Sequence, residues 1–127
     1  GFQTCALPIS KDNKLGIASV DNGAGAGELT GESVGKAVAV AEQAGTGNDL
    51  ALKLDYATKE AGAYPIILVT YEIVCSKNKD AEKGKNIKAF LKHFASTDVQ
   101  KGLEEIGYAP LPKEVEDKVL TAIDALS

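Results

Sequence analysis

The sequence predicts an α/β chain with an incomplete sheet flanked by helices. Three observations carry that reading. Residues 66–74, IILVTYEIV, are the most apolar and β-branched run in the chain, the pattern of a strand covered on both faces. Residues 14–20 and 48–56 alternate their side chains at period two, as half-buried strands do. Two later stretches repeat apolar residues at helical spacing: Ile87, Phe90, Leu91 and Phe94, then Val115, Val119, Ala122, Ile123 and Leu126.

The totals narrow the classes of function. A chain of 127 residues is one modest domain or part of a larger one. Its net charge is −4, and all fourteen basic residues are Lys, interleaved with acids. Nucleic-acid binding usually needs a basic stripe, so no nucleic-acid partner is expected. No apolar run reaches the ~18 residues that suggest a transmembrane segment. The chain opens on Gly1 and contains no Met, so the lack of a signal segment says nothing about export. Residues 1–10 lead into nothing periodic. The run from Gln3 to Ile9 matches one reading frame of a common sequencing adapter, so residues 1–10 read as a non-native or disordered leader. Cys5 then falls outside the native sequence, and Cys75 stands alone with no disulfide to draw.

Along the chain, Leu15, Ile17 and Ser19 share one face of the 14–20 strand candidate. Asp21-Asn22-Gly23 reads as a turn. The glycine-rich stretch 23–31 invites a phosphate-loop reading and fails its tests. The sixth position of the dinucleotide fingerprint is Glu28, and Gly-Lys-Ser/Thr is absent. A flexible linker is the expectation there. Thr30 then caps a helix over 30–44, with Glu32 in the first turn. Val34, Ala37, Val38, Ala41 and Ala44 form its narrow stripe, and Gly45 ends it. In 48–56, Leu50, Leu52 and Leu54 point one way. Residues 57–62 are a polar connection.

Pro65 pushes Tyr64 into an extended conformation. The 66–74 strand follows, with Glu72 needing a partner if buried and Cys75 inert at its end. Residues 76–80 form a solvated turn, and Asp80 caps a helix over 81–96. The Lys at 83, 85, 88 and 92 read as a solvated face. His93 has no second ligand at metal spacing, so no metal site is expected. Thr97 caps a short helix with Gln100 completing a capping box; Leu103 and Ile106 are its apolar contacts, and Gly107 closes it. Residues 108–112 are an extended connector, and Pro112 opens the final helix.

Catalytic chemistry is poorly supplied. No Ser sits in G-x-S-x-G, and one His offers little for a triad. The reading is non-enzymatic, with no catalytic residues and no cofactor. Arg, the usual bidentate clamp for oxyanions, is absent.

Four stretches in order resemble one family. KLGIASVDNGAG is followed by Thr30-Gly31-Glu32-Ser33, matching a T-x-E-S helix start. AYPIILVTYEIV is similar to a (Y/W)-P-I crossing and its strand. AFLKHFAS is similar to an F-L-x-(Y/W) helix, and QKGLEEIGYAPLP to a short helix with a Y-x-P-L-P turn. Together they resemble the C-terminal third of the phosphate-binding proteins of bacterial phosphate ABC importers, over residues 11–127. The stretch GTGNDLALKLDYATKEAGAYPI looks nearest to versions from high-GC Gram-positive bacteria.

The resemblance implies a two-lobe, class II periplasmic-binding-protein-like fold with phosphate held between the lobes. Residues 11–62 would belong to the second lobe, 63–66 to a hinge crossing, and 67–127 would complete the first lobe. Tyr64, Pro65 and Ile66 would be one hinge strand, bending as the cleft closes. The family's ligand grip of hydroxyls, helix N-termini, Arg and Asp lies upstream, so no ligand-binding residue is carried over. Inorganic phosphate, ABC permease subunits and an extracytoplasmic location, as a cell-surface lipoprotein or in the periplasm, are the implied partners and setting. A binding protein for another oxyanion is the near alternative. A nucleotide- or phosphate-ester-using α/β enzyme is the distant one.

Overall fold

The computed structural model describes residue 10 and residues 12–127. The leader expectation for 1–10 falls almost wholly outside the described residues. Among the described residues, four helices of seven residues or more and four two-residue strands are assigned. Strands β1 (Val20–Asp21) and β2 (Ala26–Gly27) form one antiparallel pair, and β3 (Glu42–Gln43) and β4 (Leu52–Lys53) form a second. Helix α1 is Gly31–Ala39, α2 Ala81–Phe94, α3 Thr97–Leu103 and α4 Lys113–Asp124. The chain is mixed helix and small sheets, in keeping with the α/β reading.

The first pair forms because the 22–25 turn is chemically specified. The Asp21 carboxylate accepts from the backbone N–H of Gly23 at 2.8 Å and of Gly25 at 3.2 Å, and Asn22 Oδ1 accepts from Ala24 N–H at 3.1 Å. Gly23 and Gly25 take φ of 91° and 111°, where a Cβ is strained. Val20 faces Gly27 and Asp21 faces Ala26. The turn expectation holds. The strand predicted over 14–20 contributes only Val20, because among the described residues no second strand lies beside its earlier residues; Leu15 and Ile17 are exposed. The 23–31 stretch is a turn, a return strand and a helix lead-in, rather than a linker.

Thr30 caps α1 as predicted. Its side chain accepts from Ser33 N–H at 3.1 Å, and Thr30 N–H donates to Ser33 Oγ at 3.0 Å, a reciprocal box. The helix stops at Ala39, five residues before the predicted Ala44, with Val40 as its C-cap. Beyond it, Glu42 pairs with Lys53 and Gln43 with Leu52. That pairing takes the backbone groups another helical turn would use. Gly45 is needed for close approach, not as a cap: a Cβ there would meet the backbone oxygen of Asp49. The strand predicted over 48–56 shrinks to β4, though Leu50, Leu52 and Leu54 are half-buried and Lys53 and Asp55 exposed, as the alternation implies.

Helices α2 and α4 make the main core. Leu91, Ala95 and Ile123 are buried, with Ile87, Val119, Leu120 and Leu126 packed on them. Burying a Leu or Ile side chain contributes roughly 1.5–3 kcal/mol relative to exposure. Asp80 caps α2, its carboxylate accepting from Glu82 and Lys83 N–H, both at 3.0 Å. Pro112 precedes α4, and its carbonyl accepts from Val115 and Glu116 N–H, both at 2.9 Å. The chain end closes on the turn before α2: Asn78 N–H donates to Ser127 O at 2.8 Å, and Ser127 N–H to Ser76 O at 3.1 Å.

Three expectations about this half need correction. Only the Ile87–Leu91 side of the α2 stripe enters the core. Phe90 and Phe94 lie outside it, their rings stacked at 6.1 Å and 11°. Thr97 is not the cap of α3; Ser96 holds that position with no side-chain cap bond, and the Gln100 amide completes no capping box but binds Phe94 O and Leu111 N–H. Ile106 is exposed rather than an apolar contact. Gly107, at φ 88°, closes the α3 turn as predicted, with Tyr108 N–H donating to Leu103 O at 2.9 Å.

Residues 66–74 do not form the predicted strand, and their apolar side chains go uncovered, as an incomplete sheet implies. No ladder forms there, and Ile66, Leu68, Tyr71, Ile73 and Val74 are exposed, Ile73 at 93%. A strand buried on both faces needs neighbours on both edges. Among the described residues none flanks it. Glu72 therefore stands in solvent, and Cys75 is a free, exposed thiol.

Candidate functional site

The predicted hinge residues occupy a well-built junction. Ala63, Tyr64 and Pro65 are buried in succession, and Ile66 emerges into solvent. Tyr64 N–H donates to Ser33 O at 3.0 Å, joining the junction to α1. The Tyr64 hydroxyl donates to Ala18 O at 3.1 Å, reaching the segment before β1. Asn22 Nδ2 donates to Glu60 O at 2.8 Å, so the turn between β1 and β2 grips the approach to Ala63. Thus the last buried residues before the 66–74 segment are fixed to the first pair of strands and to α1. The structure places Tyr64 and Pro65 together at this point and leaves Ile66 at its edge.

Where could an anion sit? The N-terminus of α1 is the first place to look. Of its donors, Ser33 N–H is engaged by Thr30 Oγ1, and the Thr30 N–H before it by Ser33 Oγ. The buried Ser33 hydroxyl lies 2.7 Å from Glu28 O, to which it can donate. Glu32 stands in the same turn and pairs with Lys36 at 3.0 Å. The arrangement is a structural cap, flanked by carboxylates that repel an anion. Ser33 was visible to pattern reading: a hydroxyl three residues after Thr30 can complete a box.

The Lys residues of α2 divide by role. Lys92 pairs with Asp124 at 2.6 Å, and Lys88 Nζ donates to Asp124 O at 2.7 Å and Leu126 O at 3.3 Å. Two of the four predicted solvated lysines therefore bind the C-terminal end of α4, where cations complement the helix dipole. The Lys92 hydrogen bond, then its charge, hold the Asp124 carboxyl below its ordinary range. On α4, the hydrogen bond from Lys113 to Asp117 raises the Lys113 ammonium, and Glu116 adds to it. His93 is exposed, and no metal-holding cluster occurs among the described residues.

A shallow depression of about 290 Å³ opens between the β3–β4 loop and α4, lined by Gln43, Asn48, Leu50, Asp117, Lys118 and Thr121. It is open to solvent, and its carboxylate is shared with Lys113. Nothing there converges on a single ligand atom. Gln100 is the residue that sequence reading underrated. It is buried, donates from Nε2 to Phe94 O at 2.9 Å, and accepts from Leu111 N–H at 2.9 Å. One amide thus ties the end of α2 to the connector before α4.

No family model and no solved structure matches the chain. Curated relatives do. A phosphate-binding protein PstS3 of Mycobacterium bovis BCG is 45% identical over 101 residues, 78% of this chain and 27% of the relative. PstS 2 of Mycobacterium tuberculosis H37Rv is 46% identical over 101 residues, with the same shares. PstS 3 of Mycobacterium leprae is 43% identical over 98 residues, 76% of this chain and 26% of the relative. The chain is a homologue of a segment of the PstS phosphate-binding proteins. It spans about a quarter of the length of these PstS relatives. Their mycobacterial origin agrees with the high-GC Gram-positive character of residues 45–66.

Proposed function

We propose that this chain is the C-terminal part of the extracytoplasmic substrate-binding component of a phosphate ABC importer. In that role the whole protein captures inorganic phosphate and delivers it to the permease subunits. The observation that carries the reading is 43–46% identity to phosphate-binding proteins over more than three quarters of the chain. A chain of this family binds and releases its ligand without covalent chemistry, in keeping with the poor supply of catalytic groups.

Two finer assignments accompany it. The Tyr64-Pro65-Ile66 junction serves as one hinge strand between two α/β lobes of class II periplasmic-binding-protein type. Residues 11–62 lie in the second lobe and residues 67–127 complete the first. Support comes from the abrupt change at Pro65, buried on one side and followed by an uncovered apolar segment. The groups that grip phosphate belong to the part of the relatives that this chain does not span. Within the chain, the candidate helix N-terminus is already capped by its own side chains.

The test is a pair of phosphate titrations by calorimetry. The 127-residue chain alone is expected to give no binding heat. A chimera, in which the chain replaces the matching segment of a mycobacterial PstS, is expected to bind phosphate with the affinity class of the parent. A folded chimera that has lost phosphate binding sinks the reading. Titration with sulfate and arsenate in parallel separates phosphate from another oxyanion.

A further inference from the structure

Asn22-Gly23 is the one Asn-Gly step in the sequence; the other four Asn are followed by Lys14, Asp49, Lys79 and Ile87. After an Asn, the next backbone nitrogen can attack the side-chain amide carbon and close a cyclic imide. A glycine there leaves that nitrogen unshielded, since it carries no Cβ. Gly23 is exposed, at φ 91°, and Asn22 is half-buried.

In the folded turn each reacting group is held. Gly23 N–H, on the attacking nitrogen, donates to Asp21 Oδ1 at 2.8 Å. Asn22 Oδ1, on the attacked carbon, accepts from Ala24 N–H at 3.1 Å. Asn22 Nδ2, the group that would leave, donates to Glu60 O at 2.8 Å, across 38 positions of sequence. Glu60 O also accepts from Ala63 N–H at 3.1 Å, closing the bend in which Gly62 takes φ 76°. One carbonyl therefore joins the Asn22 side chain to the buried Ala63-Tyr64 junction. While that clamp is shut, the side-chain amide is turned toward Glu60 and away from attack.

We propose that Asn22 is a deamidation site gated by the Glu60 clamp, and that its conversion releases the clamp for good. When Glu60 moves away, the Gly23 nitrogen bonds to Asn22 Cγ and gives its proton to water. The Cγ–Nδ2 bond breaks, and Nδ2 leaves as ammonia with a proton returned from water. A second water then adds to either carbonyl of the imide and opens it, leaving an aspartate at position 22 or its β-linked isomer. The new carboxylate has no donor for Glu60 O and sets two acceptors face to face. The β-linked product also lengthens the main chain inside the turn that Asp21 closes onto Gly25.

Peptide mapping by mass spectrometry of the 127-residue chain, incubated at mildly alkaline pH with and without urea, tests it. Asn22 is expected to convert ahead of the other four Asn in both conditions, and more slowly in the folded chain than in urea. Tyr64→Phe loses the hydroxyl bond to Ala18 O and so loosens the junction. It is expected to speed conversion of the folded chain roughly two- to tenfold and to leave the rate in urea unchanged. Asn22→Asp carries the acid from the start and is expected to lose hydrogen-exchange protection at Ala63 and Tyr64. Another Asn converting first, a folded rate equal to the rate in urea, a Tyr64→Phe rate equal to the wild type, or unchanged exchange at Ala63 in Asn22→Asp would each overturn the proposal.

Discussion

The hydroxyl of Tyr64 reaches the carbonyl of Ala18 at 3.1 Å across 46 positions of sequence, while the Tyr64 backbone N–H holds Ser33 O at 3.0 Å. One residue therefore ties together the segment before β1, helix α1 and the junction at Pro65. Tyr64→Phe keeps the ring and loses only the hydroxyl bond. Because Ala18 is exposed, water can replace the lost donor, and the expected cost is about 0.5–1.5 kcal/mol. Tyr64→Ala also empties the ring's space, for which about 3–5 kcal/mol is expected. Urea unfolding of both variants measures the difference; equal losses would show that the ring contributes little.

Gln100 supports a second prediction. Its amide joins Phe94 O and Leu111 N–H from a buried position. Gln100→Ala leaves both backbone groups without that partner, at an expected cost of about 1–3 kcal/mol. Gln100→Glu keeps an acceptor for Leu111 but turns a carboxylate oxygen toward Phe94 O. It is expected to be the more harmful at neutral pH and to recover as the carboxyl is protonated. Thermal unfolding at two pH values checks both points.

What the sequence could reveal depended on how local each determinant is. Asp80 and Pro112 mark the starts of α2 and α4, since a cap or a fixed φ acts within one turn. The apolar spacing of Leu91 and of Val119 with Ile123 finds the core for the same reason. Residues 66–74 show the opposite case. Their composition specifies a strand, but a strand exists only with partners, and no described strand pairs with them. Ala44 was assigned to α1 because its stripe continues past Ala39. The pairing of Glu42 with Lys53, which ends the helix, is invisible to a periodicity count. Gln100 resembled half of a capping box, and only the tertiary positions of Phe94 and Leu111 reveal its task. At the junction, Tyr64-Pro65 stood out by its backbone chemistry, while the bonds to Ala18 and Ser33 came from the fold.

The ion pair between Lys92 and Asp124 sets a pH dependence. The Lys92 hydrogen bond and charge lower the Asp124 carboxyl from its ordinary value of 3.8. A group lowered in the folded state contributes stability that is fully present above its unfolded value and is lost as pH falls through the folded one. Acidification below the ordinary carboxylate range is therefore expected to loosen the end of α4 from α2. In Asp124→Asn this part of the acid sensitivity disappears. Carbon-detected NMR titration of the Asp124 carboxyl reads the lowered midpoint, and melting temperatures of both proteins along an acid series read its effect. The pair is exposed, so a high-salt series should flatten the difference. A wild-type and an Asp124→Asn curve that stay parallel down to low pH would remove this pair from the acid response.

Two glycines in tight surroundings should respond differently to the same change. At Gly31 an added Cβ meets the Glu104 side-chain carboxyl, the movable end of a flexible group. At Gly45 it meets the Asp49 backbone oxygen together with that residue's own side chain. Backbone cannot swing aside without disturbing the turn that lets Ala44 N–H reach Ala51 O at 2.7 Å, the bond that continues the β3–β4 pairing. Gly31 is the first residue of α1, and exchanging Gly for Ala at a compatible backbone conformation is itself favourable by about 0.4–1 kcal/mol, through the unfolded chain. The net effect of Gly31→Ala is expected to be small. Gly45→Ala carries an overpacking cost of about 1–3 kcal/mol. Hydrogen exchange separates them further: Gly45→Ala should lose protection at Ala44 and around Leu52, whereas Gly31→Ala should leave those amides unchanged. Equal destabilisation by the two substitutions would mean that the Gly45 turn is soft enough to absorb a methyl group.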